Sequence, residues 1–472
     1  MHRPNLHQTG IHLKRYVSAV ALLFGSPLLL HAQDTRHVTE PVIPPTCTVL
    51  KAQLQATSNA LREEDEKKLD SARIQKAMDR CGEGKAVVLR ADGASNAFLS
   101  GPLELRNDVT LLIEKGVTLY ASRDPRLFDA TPDTCGITGP QAKNCLALIN
   151  VRDVKNAAVM GEGVIDGRGD KQILGKSFTW WQQSRAMEPT GTKYSAPRLI
   201  VANHADGLIL YRIRLHNSPN FHVTVNNTNG FTAWGVHLLT PTVRGTDARN
   251  TDGIDPGSSE NVTVAKSWID NGDDNIAIKA SLHHMSVLDN HFYSGHGMSM
   301  GSEARDESDI YVDTLTLDHT TSGIRIKSNV QRGGMVRGVT YRNVCMRNVA
   351  MPISISPFYT GQTTDGIEDT GLKGDMTPDY KGIHIEDVLS ITPGIVQVAG
   401  LNKDHISEVT LNGVEVRGIQ PAQMRARFAA FTYGPKGTNL SFSGEGVTSN
   451  PVTPPAVKST ISCDGKFVPY ED

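Results

Sequence analysis

Four short phrases in the middle of the chain carry the side chains best suited to acid–base chemistry. In chain order they are Asn250-Thr251-Asp252-Gly253, Gly272-Asp273-Asp274-Asn275, Gly295-His296-Gly297 and Arg325-Ile326-Lys327. Clustered carboxyl groups can donate and accept protons at one reacting bond, and a histidine can assist them. Each phrase alone also has an ordinary structural explanation, because Asp before Gly is usually a turn and His between glycines can be a tight bend. Their spacing decides between the two interpretations.

Short apolar stretches, each bounded by Gly, Asn, Asp or Ser, recur along most of the chain and indicate short strands with frequent turns. They are Val109–Ile113, Ala157–Met160, Leu208–Leu210, Val262–Val264, Met285–Val287, Ile310–Val312 and Val336–Val339. From Val262 to Met285 is 23 residues (285 − 262), and from Met285 to Ile310 is 25 (310 − 285). A period in the twenties indicates a solenoid, and the sequence therefore predicts an all-β fold, a single-stranded parallel β-helix. The spacing of leucine-rich repeats is absent, and a β-sandwich, the remaining alternative, would not require such even returns.

Residues one coil apart in a parallel β-helix stack at the inter-strand spacing of about 4.8 Å. Asp273 follows Asp252 by 21 residues (273 − 252), and His296 follows Asp274 by 22 (296 − 274), so each interval is close to one coil. We therefore expect these four residues to lie on successive coils along one strip of surface. Three carboxyl groups packed this closely repel one another and should raise at least one pKa, which is a mark of a functional site.

The fourth phrase supplies positive charge for the same strip. Arg325 lies 29 residues beyond His296 (325 − 296), which corresponds to a coil with a longer loop. Strand alternation points Arg325 and Lys327 to one side, while Ile326 faces the core. An arginine suits a carboxylate because its donors form a planar fork. If the substrate is anionic, this pair supplies the local positive charge that an acidic protein needs to bind it.

In this order and on this fold, the four phrases resemble the pectin-degrading polygalacturonases of glycoside hydrolase family 28. The similarity runs from about Cys47 to the end of the chain. The resemblance implies a right-handed β-helix and hydrolysis of α-1,4-galacturonosidic bonds by single displacement with inversion. Inversion requires one protonated carboxyl and one carboxylate about 6.5–9.5 Å apart, so that a water molecule fits between them. One inter-strand step of about 4.8 Å plus a lateral offset can supply that distance.

The resemblance also assigns catalytic roles to individual residues. Asp273 resembles the general acid that protonates the leaving glycosidic oxygen. Asp252 and Asp274 resemble the pair that holds and activates the water molecule. His296 resembles the histidine that helps to set the protonation of the acid.

Four further residues resemble groups that contact the substrate. Arg325 and Lys327 resemble the cations that bind galacturonate carboxylates around the cleavage point, and Asn250 and Tyr359 resemble other contact residues. The chain departs from many fungal and plant relatives at Asn275, where they carry cysteine. This departure favours bacterial members and endo cleavage.

One amphipathic helix is predicted near the N-terminus, over about Leu69–Arg80. Asp70 can cap it, and Gly82 and Gly84 can end it. Its apolar residues recur at roughly helical spacing: Ala72, Ile74, Ala77 and Met78. We expect this helix to cap the N-terminal end of the β-helix.

The first residues of the chain have the features of a secretory signal. Arg3, Lys14 and Arg15 precede an apolar run from Tyr16 to Leu30, and Ala32 offers a small-residue cleavage region. We expect residues 1–32 to be a signal peptide and residues 33–472 to be one catalytic β-helix domain of a secreted, extracellular protein.

Charge and hydropathy limit the partners of this mature protein. Loss of the three cations would change the formal net charge from −2 to −5 (−2 − 3), and this mild acidity argues against nucleic-acid binding. No stretch is long and apolar enough to span a bilayer. We expect a monomer that acts on polygalacturonate, with no membrane association and no cofactor.

Six cysteines in an exported chain indicate disulfides rather than metal sites. Cys135 and Cys145 flank a Pro/Gly/Asn-containing segment and are expected to close a small loop. Cys47 and Cys81 bracket the predicted helix, which leaves Cys345 with Cys463. Six cysteines permit 15 pairings, and only the first pair stands out.

Three alternative functions are open at this point. A rhamnogalacturonan hydrolase would share the fold, but the paired cations suggest acidic sugars on both sides of the cleaved bond. A pectate lyase would use calcium-bound carboxylates and a basic Arg or Lys for β-elimination. A non-catalytic adhesin on a β-helix would have no need for Asp252, Asp273 and Asp274 in one strip.

Overall fold

The structure is a computed structural model that describes residues 1, 33–241, 248–361, 366–458 and 461–470. Apart from Met1, the predicted signal peptide lies outside the described residues. The strands are β1 Thr46–Lys51, β2 Lys85–Arg90, β3 Ala97–Ser100, β4 Leu103–Glu104, β5 Val109–Ile113, β6 Thr118–Ala121, β7 Ile149–Lys155, β8 Ala158–Met160, β9 Val164–Asp166, β10 Ile200–Asp206, β11 Ile209–Tyr211, β12 Arg214–His216, β13 Val223–Asn226, β14 Asn229–Trp234, β15 His237–Leu239, β16 Ile254–Ala265, β17 Trp268–Asn271, β18 Ile276–Ser294, β19 Met298–Asp318, β20 Ser322–Lys327, β21 Met335–Arg347, β22 Met351–Ser356, β23 Asp379–Ser390, β24 Val396–Ala399, β25 Ser407–Val416, β26 Met424–Arg427, β27 Ala429–Tyr433 and β28 Thr448–Asn450. The α-helices are α1 Ser71–Arg80 and α2 Trp180–Met187, and 3₁₀ turns cover Glu63–Asp65, Pro125–Phe128, Glu188–Thr190 and Pro421–Gln423.

The strands pair in parallel and form three stacks that run along the molecule. One of them, called the site stack below, follows the order β4, β7, β10, β13, β16, β18, β19, β20, β22, β24 and β26. From β16 onwards some strands are long enough to bend at a corner and enter two or three stacks. The predicted right-handed parallel β-helix is confirmed.

The strand register explains the repeat that the sequence shows. Val262 pairs with Met285, and Met285 pairs with Ile310, so each of the two intervals counted above is one coil. The same interior position continues through Val339, Ile383 and Val409.

The interior of the coils is filled by apolar side chains from all three stacks. In the site stack, successive coils bury Ile254, Ile276, Met298, Ile324, Ile353 and Val396. Burial of each such side chain stabilises the fold by about 1.5–3 kcal/mol. Because side chains alternate along a strand, the residues next to these buried ones in sequence face outwards, where they can form a site.

The predicted capping helix is present as α1, and Ile74 and Met78 on its inner face join the core at its N-terminal end. The predicted cap at Asp70 is wrong, because its side chain makes no capping hydrogen bond. The buried carboxylate instead accepts from the backbone N–H of Leu99 at 2.9 Å and from Arg73 Nε at 2.5 Å. It therefore joins the helix to β3.

Helix α2 was not predicted from the sequence. Thr179 and Gln182 form a capping box at its start, since the Thr179 side chain accepts from the Gln182 backbone and the Gln182 side chain accepts from the Thr179 backbone. This Thr-x-x-Gln signal was available in the sequence. Trp180 and Trp181 bury the helix against the outside of the coils.

All six cysteines are paired, as Cys47–Cys81, Cys135–Cys145 and Cys345–Cys463. The expected small loop at Cys135–Cys145 is confirmed, and so are the other two pairs. The third disulfide joins β21 to the C-terminal segment.

The residues before β1 form a strap across the outside of four coils. Asp34 donates its N–H to Ser286 Oγ at 3.0 Å and accepts from Thr263 Oγ1 at 2.7 Å. Arg36 donates to the carbonyl of Phe231 at 2.9 Å, and Tyr211 donates to Glu40 at 2.7 Å. These contacts join β18, β16, β14 and β11.

Candidate active site

The register of the site stack places three predicted catalytic residues at the same position on successive coils. Asp252, Asp274 and His296 each lie two residues before the apolar residue that begins β16, β18 and β19, and those residues pair with one another. The same column continues on the two preceding coils with Phe221 and Arg198. These five residues are called the catalytic column below. The predicted strip of surface is therefore confirmed.

Asp273 lies beside this column and is held by three neighbours. His296 Nδ1 lies 3.1 Å from Asp273 Oδ1, and the backbone N–H of Asp274 donates to the same oxygen at 2.9 Å. The backbone N–H of Asn250 donates to Asp273 Oδ2 at 3.2 Å. The Asn250 side chain is oriented in turn by the hydroxyl of Tyr194 at 3.1 Å. Asp273 and His296 can thus share one proton.

Asp274 is bonded directly to a cation and to a hydroxyl group. Lys327 Nζ donates to its Oδ2 and Ser299 Oγ donates to its Oδ1, each at 2.6 Å, while Arg325 Nη1 lies 3.6 Å from Oδ1. Ile326 is in the core, as alternation predicted. Arg325 and Lys327 are only 2% and 5% exposed, so both cations lie deep in the site rather than on its rim.

Two buried asparagines hold the turns that carry the acids. Asn271 Nδ2 donates to the carbonyls of Thr251 at 2.8 Å and Asp274 at 2.9 Å, on neighbouring coils. Asn275 Nδ2 donates to Asn271 Oδ1 at 2.7 Å, and Asn275 Oδ1 accepts from the N–H of Gly297 at 2.8 Å. Asn275, where many relatives carry cysteine, therefore links coils through hydrogen bonds.

A buried histidine supports Asp252 from the interior. His222 Nδ1 lies 3.1 Å from the carbonyl oxygen of Asp252, and its Nε2 lies 2.7 Å from Thr240 Oγ1. Burial lowers the pKa of His222 to about 4, so the ring is neutral near pH 7. The sequence reasoning did not identify His222.

A groove of about 670 Å³ contains all eight predicted site residues. Its lining comprises Arg185, Glu188, Arg198, Phe221, Thr224, Asn226, Arg249, Asn250, Asp252, Asp255, Gly272, Asp273, Asp274, Lys279, Ala280, His296, Ser302, Glu303, Arg305, Arg325, Lys327, Arg332, Tyr359 and Gly361. Because these residues come from successive coils, the groove crosses the strands and runs along the helix axis. Such a groove fits a chain-like ligand.

The sequence profile of Glycosyl hydrolases family 28 matches residues 93–430. The chain belongs to this family. An endo-polygalacturonase of Pectobacterium carotovorum subsp. carotovorum is 41% identical over 399 residues, which cover 84% of this chain and 92% of the relative. A polygalacturonase of Ralstonia nicotianae is 34% identical, with 92% of each chain covered. The solved polygalacturonase of Erwinia carotovora ssp. carotovora superposes with a TM-score of 0.72 at 39% identity, and covers 83% of this chain and 99% of that one.

Two carboxyl groups in the groove of this family 28 glycosidase have raised pKa values. Burial raises the pKa of Asp252 well above its usual value, and the negative charges of Asp255 and Asp273 add to the rise. Burial also raises the pKa of Asp255 to about 7, although Lys279 opposes this effect. The expectation that crowding raises at least one pKa is confirmed.

The other two carboxyl groups of the family 28 site are shifted in the opposite direction. Burial acts to raise the pKa of Asp273, but His296 and Lys327 outweigh it and lower the pKa. Burial likewise opposes the lowering of the Asp274 pKa, which Lys327 and Arg325 cause. Without a bound ligand, Asp273 and Asp274 are therefore the ionised pair.

Most groove residues of this family 28 chain were not predicted from the sequence, and Asp255, Lys279 and Arg332 are three of them. Asp255 and Lys279 are outward-facing strand residues that line the groove. The sequence signal for each was the alternation of apolar and charged residues, in Ile254-Asp255-Pro256 and in Ile278-Lys279. Arg332 lies after β20, with its Cζ 6.0 Å from the centre of the Tyr359 ring. No periodic pattern indicates Arg332.

Asp273, Asp274 and His296 offer ligand atoms within 4.8 Å of one another, a spacing that a metal ion can use. However, the Lys327 ammonium is already bonded to Asp274 and would repel a cation placed there. These residues therefore fit proton transfer better than metal binding.

Proposed function

We propose that this chain is an endo-acting polygalacturonase that hydrolyses α-1,4-galacturonosidic bonds of pectin by single displacement with inversion. The observation that supports the proposal most strongly is the coexistence, in one groove, of stacked acids and buried cations. Asp252, Asp274 and His296 occupy one column, and Arg325 and Lys327 lie on the next coils. A chain of acidic sugars needs both sets of groups at the same bond.

In this proposal Asp273 is the general acid, and Asp252 and Asp274 hold and activate the attacking water molecule. His296 supplies the acid's proton through the contact between its Nδ1 and Asp273 Oδ1 at 3.1 Å. Asp252 Oδ1 has no hydrogen-bond partner among the described residues, which leaves it available to a water molecule. The departing sugar takes the proton of Asp273, and the water molecule loses one to the carboxylate pair.

The lowered pKa of Asp273 calls for a change when substrate binds, because a general acid must carry a proton. Lys327 is one of the cations that lower this pKa. A galacturonate carboxylate beside Lys327 and Arg325 adds negative charge and opposes the effect of the cations. Substrate binding therefore moves the proton shared with His296 towards Asp273. Asp273 thus becomes protonated where a substrate carboxylate is present.

Endo action is proposed on two grounds. The Pectobacterium relative, which is 41% identical, is named an endo-polygalacturonase. The groove also has residues on both sides of the catalytic acids, with Phe221 and Asn226 on earlier coils and Tyr359 and Gly361 on later ones. A polymer can thus extend in both directions from the cleaved bond.

Secretion and a role in plant cell wall degradation belong to the same proposal. Pectin lies outside the producing cell, and three disulfides suit an oxidising compartment. No helix in the described part of the chain could span a membrane. N-terminal sequencing of protein from the culture medium would test cleavage after Ala32, and its chromatographic size would test the proposed monomer.

Incubation with polygalacturonate, with products separated by chain length over time, tests the central proposal. A ladder of saturated oligomers is expected, and its anomeric configuration, followed by NMR in the first minutes, should be inverted. Monomer alone would indicate exo action, and unsaturated ends that absorb ultraviolet light would indicate a lyase. The Asp273→Asn variant, purified in parallel, controls for a contaminating enzyme.

A further inference from the structure

The floor of the groove contains two further columns beside the catalytic column. One consists of Asn226, Gly257 and Lys279, continues after a register shift between β18 and β19 with Gly301, Lys327 and Ser356, and is called the lysine column. The other consists of Thr224, Asp255, Ala277, Ser299, Arg325 and Ser354, and is called the middle column. Within the lysine column, Lys279 and Lys327 are two coils apart with a glycine between them.

The two glycines of this column, Gly257 and Gly301, leave the floor of the groove beside Lys279 free of side chains. A Cβ on Gly257 would lie 3.2 Å from Lys279 Cβ, and one on Gly301 would lie 2.0 Å from the carbonyl oxygen of Lys327. Gly301 also has a φ of +102°, which strongly favours glycine. Absence of side chains at both positions lets a ligand approach the Lys279 ammonium from above.

Lys279 is a half-buried cation that has no anion within hydrogen-bond distance among the described residues. Its Nζ lies 3.8 Å from Asp252 Oδ2 and 3.9 Å from Asp255 Oδ2, and neither contact is a hydrogen bond. The ammonium remains charged, because burial opposes but Asp255 and Asp252 outweigh it and raise the pKa of Lys279. Its three donors are therefore available to a ligand.

Arg198 and Asp255 complete this part of the groove. The Arg198 guanidinium lies 4.5 Å from the centre of the Phe221 ring, and within the described parts of the chain its hydrogen bonds, to Asn220 and Thr224, are long, at 3.4 Å. Asp255 is 2% exposed, and neither of its carboxyl oxygens has a hydrogen-bond partner among the described residues. Two cations and an unsatisfied carboxyl group thus face one space on the earlier coils.

We propose that Lys279, Arg198 and Asp255 form a second carboxylate-binding subsite, which holds a galacturonate on the opposite side of the cleaved bond from Arg325 and Lys327. The inference rests on the proposed polygalacturonase function and adds residues to it. Lys279 and Arg198 neutralise the carboxylate, and protonated Asp255 donates a hydrogen bond to it. A methyl ester would lose the two ionic contacts, so this subsite selects for the free acid.

Cleavage patterns on reducing-end-labelled pentagalacturonate test the subsite. An enzyme variant that lacks one subsite binds the oligomer more often in positions that leave the damaged subsite empty. Lys279→Met should therefore shift the cleaved bond towards one end of the oligomer. Arg332→Met, on the Tyr359 side, should shift it towards the other end. KM on polygalacturonate should rise about 10- to 100-fold in Lys279→Met, as expected for a lost charged hydrogen bond.

Two controls separate binding from folding and from chemistry. Lys67→Met removes an exposed lysine outside the groove and should leave both pattern and KM unchanged. Lys279→Arg keeps the charge and should retain most of the wild-type pattern. An unchanged pattern in Lys279→Met, or a shift in the same direction as Arg332→Met, would overturn the subsite. Failure of the wild type to cleave polygalacturonate would instead overturn the proposed function.

The contribution of Asp255 has its own test, in the pH dependence of KM. The charged groups around Asp255 are Lys279, Arg198, Asp252, Asp273 and Asp274. Burial raises its pKa to about 7, so the group loses its proton and repels the substrate as the pH rises through 7. Wild-type KM should therefore rise between pH 6 and pH 8. Asp255→Asn cannot ionise, and its KM should rise less; an unchanged rise would refute this role of Asp255.

Discussion

At the scale of single residues, the site gives chemically identical carboxyl groups opposite proton affinities. Burial raises the pKa of both Asp252 and Asp255, and the charge of Asp255 adds to the rise at Asp252. Asp273 and Asp274 face His296 and Lys327, and the pKa of each is lowered. Environment rather than residue type thus sets the proton affinity of each carboxyl group, as in other carboxylate-based glycosidases.

Replacement of the proposed acid should abolish most turnover. Asp273→Asn keeps the shape of the side chain but cannot donate a proton, so kcat should fall by about 10²–10⁴ with little change in KM. Steady-state kinetics on polygalacturonate would measure both constants. Asp252→Asn is the matched variant on the water side and should lose a similar factor. Near-normal turnover in Asp273→Asn, with a large loss in Asp252→Asn, would assign the acid to Asp252 instead.

Removal of His296 should change the pH profile as well as the rate. Wild-type kcat should be bell-shaped, because the acid needs a proton while at least one of the water-activating carboxyl groups, Asp274, must be ionised. Activity is lost at high pH when the Asp273–His296 pair gives up its shared proton. In His296→Ala, Asp273 alone must hold that proton beside Lys327, which lowers its pKa. The alkaline limb should therefore move to lower pH, and an unmoved limb would contradict the shared proton.

Lys327 should affect both binding and turnover, because it is bonded to Asp274 and lines the groove. Lys327→Ala should raise KM on unesterified polygalacturonate about 10- to 100-fold, the effect of one charged hydrogen bond. The rise should be smaller on highly methylated pectin, whose esters carry no charge. The fall in kcat should be similar on both substrates. Equal KM effects on both would show that Lys327 serves Asp274 alone.

At the scale of strands and turns, the catalytic geometry depends on asparagines that span coils. Asn271 and Asn275 join the turns before β16, β18 and β19 through buried hydrogen bonds. Each buried group left without a partner costs about 1–3 kcal/mol. A small displacement of the acids can cost about 100-fold in rate.

Asn275→Ala should accordingly lower the melting temperature and reduce kcat about 10- to 100-fold, with KM much less affected. Thermal unfolding followed by circular dichroism and steady-state kinetics would measure the two effects. Asn144→Ala, at an exposed position, is the matched control and should change neither. A fall in kcat with an unchanged melting temperature would contradict the role of Asn275 in holding neighbouring coils together.

The sequence predicted the elements that repeat, because a coil leaves its period in the residue spacing. Asp252, Asp274 and His296 could therefore be placed in one column without coordinates. Asp255 and Lys279 were missed because an outward charged residue on a strand usually faces solvent. Their importance depends on burial, which arises from the walls of the groove and not from local pattern. Helix α2 was missed although its capping signal was present, since a short helix leaves no repeat.

At the scale of the whole molecule, stability along the axis depends on segments that cross coils. The N-terminal strap joins four coils, and the Cys345–Cys463 disulfide joins β21 to the C-terminal segment. Among the described residues, the strands of each coil otherwise pair with strands of the neighbouring coils, as in other solenoids. Such links therefore add contacts that span more than one inter-coil step.

Loss of the long disulfide should destabilise the chain more than loss of the short one. Cys345 and Cys463 are 118 residues apart and Cys135 and Cys145 are 10 apart. Loop-closure entropy gives about 5 kcal/mol for the first and about 3 kcal/mol for the second. Double Cys→Ser variants, compared by thermal unfolding, should show the larger fall for the long pair, with kcat at 25 °C retained. The reverse order would show that native contacts near residues 135–145 dominate.

The sequential supply of site residues by successive coils also fixes when the enzyme becomes active during synthesis. A growing chain that ends just after β19 already contains Arg198 and His296, but neither Lys327 nor Tyr359. Its Asp274 carboxylate would lack the ammonium bonded to it in the complete molecule. We therefore expect hydrolysis to begin only once the later coils have been made and wound. A chain that is terminated before β20 should be inactive towards polysaccharide.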